Sequence, residues 1–243
     1  ARATTLKFPK ENAETADGLA KKHADLRAKL HARTLVLRAR VTMLRDERGT
    51  LERAQTDLES VLKDAEKGGI RPGDPQALVA QGDLYVLTGN LSEALVQYTK
   101  ALERSPNSVH AYLGRARARV MKEEFDEAIS DVTRGLNYLG GAKPPEPSED
   151  ADEGEEKKPI ELEVIPEEQK GELAAHLQLS RARARLEKGE TQKALDDALT
   201  AGKTLAKGWE PKAFEGLVLA RQGKVFLARD AYAAAISNAP QEA

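Results

Sequence analysis

Residues 75–108 read PQALVAQGDLYVLTGNLSEALVQYTKALERSPNS. Asp74, just before the stretch, is a good N-cap, and Pro75 suits a first helical turn, where its missing N–H costs nothing. Leu78, Gly82 and Tyr85 follow at helical spacing. Gly89 and Asn90 break the helix. A second stripe runs through Ala94, Leu95, Tyr98, Ala101 and Leu102 until Pro106 stops it. The segment predicts two helices joined by a tight turn, with Gly82 and Ala94 small enough to allow close approach. Neither helix alone can bury its stripe, so the pair needs neighbours.

Working outward, the turn recurs. A turn residue, then a residue two later that is apolar in four of five copies, then Ala three beyond, appears as Gly49-Leu51-Ala54, Gly89-Leu91-Ala94, Glu123-Phe125-Ala128, Gly189-Thr191-Ala194 and Gly223-Val225-Ala228. Successive alanines are 40, 34, 66 and 34 residues apart. One 34-residue unit fits all five copies, with insertions of 6 and 32 residues. An ordinary helical bundle would not need this spacing. The expectation is an all-α solenoid of about five helix-turn-helix units.

Leu78, Gly82, Tyr85, Ala94, Tyr98, Ala101 and Pro106 resemble the tetratricopeptide repeat pattern almost position for position. Trp209 to Pro240 resembles it again through Gly216, Leu219, Ala228, Tyr232 and Ala235. The resemblance implies a right-handed superhelix whose concave face, lined by the first helix of each unit, grips a peptide or helix of a partner. The units fall at 35–68, 75–108, 109–142, 175–208 and 209–242, the first being the weakest match, with Arg38 and Thr42 unusual at early packing positions. This divides the chain into an N-terminal helical extension (1–34), repeats one to three (35–142), an insertion (143–174) and repeats four and five (175–243), the repeats forming one solenoid.

The family assigns the groove to positions 2, 5, 9, 12 and 13 of each unit. In the second unit these are Gln76, Val79, Asp83, Val86 and Leu87. In the third they are His110, Leu113, Arg117, Val120 and Met121. In the fourth they are His176, Leu179, Arg183, Leu186 and Glu187. In the fifth they are Glu210, Ala213, Leu217, Ala220 and Arg221. That line is apolar with isolated charges, which suits an amphipathic helix or a strand with apolar anchors and an acidic group. Arg117 and Arg183 share position 9 in neighbouring units, each beside apolar residues, and His110 and His176 could add charge in mildly acid solution. Some of the apolar residues could instead pack neighbouring helices. The branch of the family that grips chaperone carboxyl termini carries Lys, Asn, Asn, Lys and Arg where Val79, Asp83, Gly114, His176 and Ser180 stand here, so that specificity is not expected.

Residues 143–174 hold 12 acidic and 4 basic residues and the prolines 144, 145, 147, 159 and 166. Little of this can bury, and it reads as a mostly disordered loop. Its one apolar island, Ile160, Leu162, Val164 and Ile165, could lie extended on a helix face or serve as a docking site. The formal net charge is -2, from 38 basic and 40 acidic residues, so an acidic insertion sits on a mildly basic scaffold.

The remaining composition excludes more than it suggests. There is no Cys, hence no disulfide framework and no thiolate metal site. No phosphate loop, dinucleotide fingerprint, zinc-protease motif or nucleophile elbow occurs, and no catalytic residue, cofactor or metal is expected. No apolar run is long enough to span a membrane. The chain opens on Ala1 rather than Met, which a removed leader or a chosen boundary would each explain, leaving cytoplasm and an exported compartment both open. The expected function is a non-enzymatic scaffold for another protein. The rivals are a structural or self-assembling module and, more remotely, an RNA-binding repeat protein: GRARARV (114–120) and SRARARL (180–186) are basic, but helical spacing spreads their arginines and no aromatics interleave them.

One covariation within the chain is informative. Position 11, normally apolar or aromatic, is Arg45, Arg119 and Arg185 in the first, third and fourth units, and position 23 of the same units is Asp57, Asp131 and Asp197. The other two units have Tyr85 with Gln97 and Leu219 with Ala231. The pattern predicts an ion pair across each of those three helix pairs.

Overall fold

A computed structural model describes residues 22, 30–41, 43, 50–64, 74–143 and 162–240. Among them every regular element is helical. Helix α1 covers 30–41. Then come α2 (Thr50–Asp64), α3 (Pro75–Leu87), α4 (Leu91–Arg104), α5 (Val109–Met121), α6 (Phe125–Leu139), α7 (Glu167–Glu187), α8 (Thr191–Thr204), α9 (Trp209–Arg221) and α10 (Val225–Asn238). The chain forms two compact units, Ala1–Ala80 and Gln81–Ala243. In the second, α5 packs on α6, α6 on α7, α7 on α8, α8 on α9 and α9 on α10, so each helix meets its neighbours in sequence. This is the connectivity of a helical repeat.

The punctuation read from the sequence sets these boundaries. Asp74 Oδ1 accepts hydrogen bonds from the N–H groups of Gln76 (2.8 Å) and Ala77 (3.1 Å), capping α3. Ser108 caps α5 through Ala111 N–H. Gly89, Glu123, Gly189 and Gly223 all have positive φ, between 64° and 81°. Each closes a first helix so that a second can start two residues later, and glycine is the ordinary occupant of such a site. Glu123, at φ 64°, holds the same conformation at a cost of about 1 kcal/mol.

In two core clusters the second helices contribute mainly small residues and the first helices most of the larger ones. One cluster joins Val109, Leu113 and Ala116 to Ala128 and Val132, and then to Leu173 and Leu177 of α7. The next joins Leu186, Ala194, Ala198, Phe214, Val218 and Ala228. Tyr98 ties α4 to its neighbours: it is 1% exposed, and its ring fills the space left by Gly82 and Gly114. A Cβ on Gly82 would stand 2.6 Å from that ring, and one on Gly114 nearer still. Its hydroxyl donates to Asp83 Oδ1 at 2.7 Å.

The insertion differs from its expectation at its C-terminal end. Helix α7 opens at Glu167, inside the stretch 143–174, and runs for 21 residues. Residues 162–166 precede it as extended chain. Of the apolar island, Ile165 packs on the core between α5 and α6, while Leu162 and Val164 face outward; Ile160 lies outside the described residues. So do 144–159 and the N-terminal extension apart from Lys22 and 30–34.

Candidate functional site

Two buried triads set the geometry on which the site rests. Asp131 accepts from Arg115 Nε (2.8 Å) and a terminal nitrogen of the same guanidinium (2.7 Å), and from Arg119 at 2.6 Å. Asp197 does the same with Arg181 (3.0 and 2.7 Å) and Arg185 (2.7 Å). Two of the three arginine–aspartate pairs predicted across the helices are therefore present. Arg45 lies outside the described residues, and Asp57 is gripped by Arg38, at 2.6 and 2.5 Å. Sequence reasoning missed Arg115 and Arg181, which supply the bidentate half of each triad. Their separation of four residues from Arg119 and Arg185 puts both arginines of a unit on one helix face.

The consequence for the surface is direct. In each RARAR stretch the outer arginines point into the helix pair, and the middle one, Arg117 or Arg183, is exposed on the opposite face. Neither has a hydrogen-bond or ion-pair partner among the described residues. Both line one groove of about 680 Å³ in the second unit.

Of the residues expected there, Val86, Arg117, Val120, His176, Leu179, Arg183 and Leu217 line this groove, with Met121, Glu210 and Ala213 beside them. Most come from α5, α7 and α9, the first helices of their pairs. Others lie elsewhere. Leu113 and Leu186 are core residues, 7% and 1% exposed, so they do not line the groove. Leu113 packs in one cluster with Leu173 and Leu177 of α7, and Leu186 is enclosed between α8 and α9. His110 is engaged at the other end of α5. Asp83 receives the Tyr98 hydroxyl, and Arg221 pairs with Glu187 at 3.1 Å. Gln76, which is exposed, and Val79, which is buried, belong to the first compact unit, Ala1–Ala80.

Trp209, Phe214, Ser180 and Tyr232 also line the groove and were not among the groove residues expected from sequence. Trp209 carried a signal: it is the chain's one Trp and opens a first helix. Here 44% of it is exposed, an apolar plate at the groove's edge.

Charge is arranged unevenly around these apolar walls. His176 lies 3.8 Å from Glu172 and 4.0 Å from Glu210. Lys188 hydrogen-bonds Asp126, which ties the end of α7 to α6 and holds the ammonium above the usual lysine pKa. The end of the insertion is fixed at the start of α5. Glu163 accepts from Val109 N–H at 2.6 Å and sits 2.6 Å from His110 Nδ1. Its own backbone makes two hydrogen bonds with the Asn107 side chain, at 2.8 and 3.0 Å. A carboxylate at a helix N-terminus is favoured by the peptide dipoles.

Comparison with known proteins adds the fold family. A family model described as tetratricopeptide repeat matches residues 44–108 and 89–144. No curated protein matches the chain. Among solved structures, MamA (41-end) from Desulfovibrio magneticus RS-1 is similar with a TM-score of 0.57 and 15% identity, over 87% of this chain and 94% of that one. PilF of Pseudomonas aeruginosa is similar with a TM-score of 0.65 and 12% identity, over 88% of this chain and 79% of that one. At such identities the likeness is one of fold. No described helix is long and apolar enough to cross a membrane.

Proposed function

Because the chain is a tetratricopeptide repeat domain protein, we propose that it is a non-catalytic scaffold whose second compact unit holds an apolar segment of another protein in the groove between α5, α7 and α9. The observation that carries this reading is the pair of exposed, unpartnered guanidiniums, Arg117 and Arg183, set among Val120, Met121, Leu179 and Leu217. A planar cation beside apolar surface recognises a carboxylate on an otherwise apolar ligand. The ligand is then an amphipathic helix or strand with apolar anchors and at least one acidic residue facing the arginines. Trp209 supplies the kind of rigid aromatic anchor on which binding energy concentrates.

The test uses acidic amphipathic helical peptides selected on the wild-type protein and measured by fluorescence anisotropy. Arg117→Glu combined with Arg183→Glu should weaken binding by more than about tenfold with the helical circular dichroism unchanged. A control reversal on exposed second-helix positions, Lys100→Glu with Lys203→Glu, should change it by less than about threefold. Equal effects from the two variants, or none from the arginine pair, would move the binding surface elsewhere.

A further inference from the structure

The groove crosses its three first helices obliquely. It takes Arg117, Val120 and Met121 from the C-terminal end of α5, His176 to Arg183 from the middle of α7, and Trp209 to Leu217 from the N-terminal part of α9. Two contacts show that α7 and α9 run parallel and in register. His176 stands 4.0 Å from Glu210, and Glu187 stands 3.1 Å from Arg221. Each pair is 34 residues apart in the chain. The groove therefore runs from the last turns of α5, over α7, to the first turns of α9.

Its two ends carry opposite charge. At the α5 end stand Arg117 and Arg183, neither with an ion-pair partner among the described residues. At the α9 end Glu210 lines the wall, and Glu172 stands one turn before His176. The single imidazole lies 3.8 Å from one of these carboxylates and 4.0 Å from the other. Even a protonated His176 would leave that end with net negative charge. Both glutamate side chains are more than half exposed, so a ligand can reach them. Between the two ends the wall is apolar, through Leu179, Ala213, Phe214 and Leu217. His176 and Arg183 are seven residues apart on one helix, about 10 Å along its axis, so the ends do not neutralise each other by contact. Arg221 and Glu187, outside the groove lining, satisfy one another and add no net charge.

We infer that the groove reads charge in two places: its ligand is an amphipathic helix of a partner protein with an acidic residue at one end of the apolar stripe and a lysine or arginine about two turns away at the other. This rests on the groove reading above and adds to it a second charge and a direction. The acid meets Arg117 and Arg183, and the base meets Glu172 and Glu210. Two turns of ligand helix cover about 11 Å, which matches the separation along α7. A uniformly acidic helix loses at the α9 end what it gains at the α5 end. A two-signed helix lies one way round only, because reversal sets like charges together at both ends.

The test is a displayed library of amphipathic helices of about four turns. The leucine stripe is fixed, and Glu or Lys is allowed at every position flanking it. Selection on the wild-type protein should enrich helices with Glu towards one end and Lys towards the other. Selection on Glu172→Lys with Glu210→Lys should enrich Glu at both ends instead. The peptide selected on wild type should bind that variant at least about tenfold more weakly by fluorescence anisotropy, with the helical circular dichroism unchanged. Glu172→Gln with Glu210→Gln removes the charge without reversing it and should cost about threefold. A wild-type pool that is acidic at both ends, or mixed along the stripe, overturns the inference. So does a segregated peptide that binds both glutamate variants undiminished. In either case the groove reading stands if binding still falls for Arg117→Glu with Arg183→Glu. Binders indifferent to both charge pairs, or a library that yields no binder, overturn the two readings together.

Discussion

Asp131 is 1% exposed and takes three hydrogen bonds from Arg115 and Arg119, whose side chains are 11% and 22% exposed. Removing the charge while keeping the shape leaves two guanidiniums facing a neutral amide away from water. Asp131→Asn should therefore lower the unfolding free energy by about 3 kcal/mol, and Asp197→Asn by about 2 kcal/mol, read from urea denaturation at unchanged m-value. Losses below about 0.5 kcal/mol at both sites would class these as solvated surface pairs. The pairing of position 11 with position 23 was legible, because an arginine at an apolar position demands an explanation and an aspartate supplied one. Arg115 and Arg181 were not read, although the signal was present. In RARAR every arginine looks alike, and only the helical period separates the two that face inward from the one that faces out.

At the scale of the helix, the interface between α4 and α5 depends on a ring lying where side chains are absent. Gly114→Ala puts a methyl group inside contact distance of the Tyr98 ring and should destabilise the protein by about 2 kcal/mol. In Tyr98→Leu the obstruction is smaller, so a double-mutant cycle should show a coupling above about 1 kcal/mol; additive effects would mean that the two residues do not press on each other. The turns, caps and most helix ends were readable, because Gly, Pro and Asp act locally. The start of α7 was not. Pro166 followed by Glu167 and Glu168 is itself a helix-start signal, but it sits in a stretch whose charge and prolines read as disordered. What overrides that composition is tertiary: Ile165 and Leu173 have a core to cover. A nominal groove position does not by itself say what is covered: Leu113 and Val79, at the same repeat position, are both buried, Leu113 in a cluster with Leu173 and Leu177 of α7.

For the molecule as a whole, the sequence divides the acidic insertion into a stretch expected to be dispensable and an end anchored at α5. Replacing 144–158 with a short Gly/Ser linker should move the melting temperature by less than about 2 °C, since that stretch has few apolar groups to bury. Glu163→Ala, by contrast, removes the acceptor for Val109 N–H and the partner of His110, and should cost about 1 kcal/mol and reduce amide-exchange protection at the start of α5. A large loss from the linker variant would mean that the insertion belongs to the core. The buried triads also bear on a difficulty of any chain made of near-copies, which is addressing. Five similar helix pairs offer many wrong marriages, and apolar stripes alone discriminate poorly among them. Here the wrong marriage is marked by charge. Were α5 to close on α10, Arg115 and Arg119 would meet Ala231 in place of an aspartate; were α9 to close on α8, Asp197 would meet Leu219 and no cation. Each of these two errors strands a charge away from water, so the triads discriminate against closing on a helix that lacks the matching charge, though not between the α5/α6 and α7/α8 pairs, which carry the same set. The Asp131→Asn and Asp197→Asn variants should then show a second symptom beside lost stability, a larger fraction of chains that refold through a slow, mispaired phase.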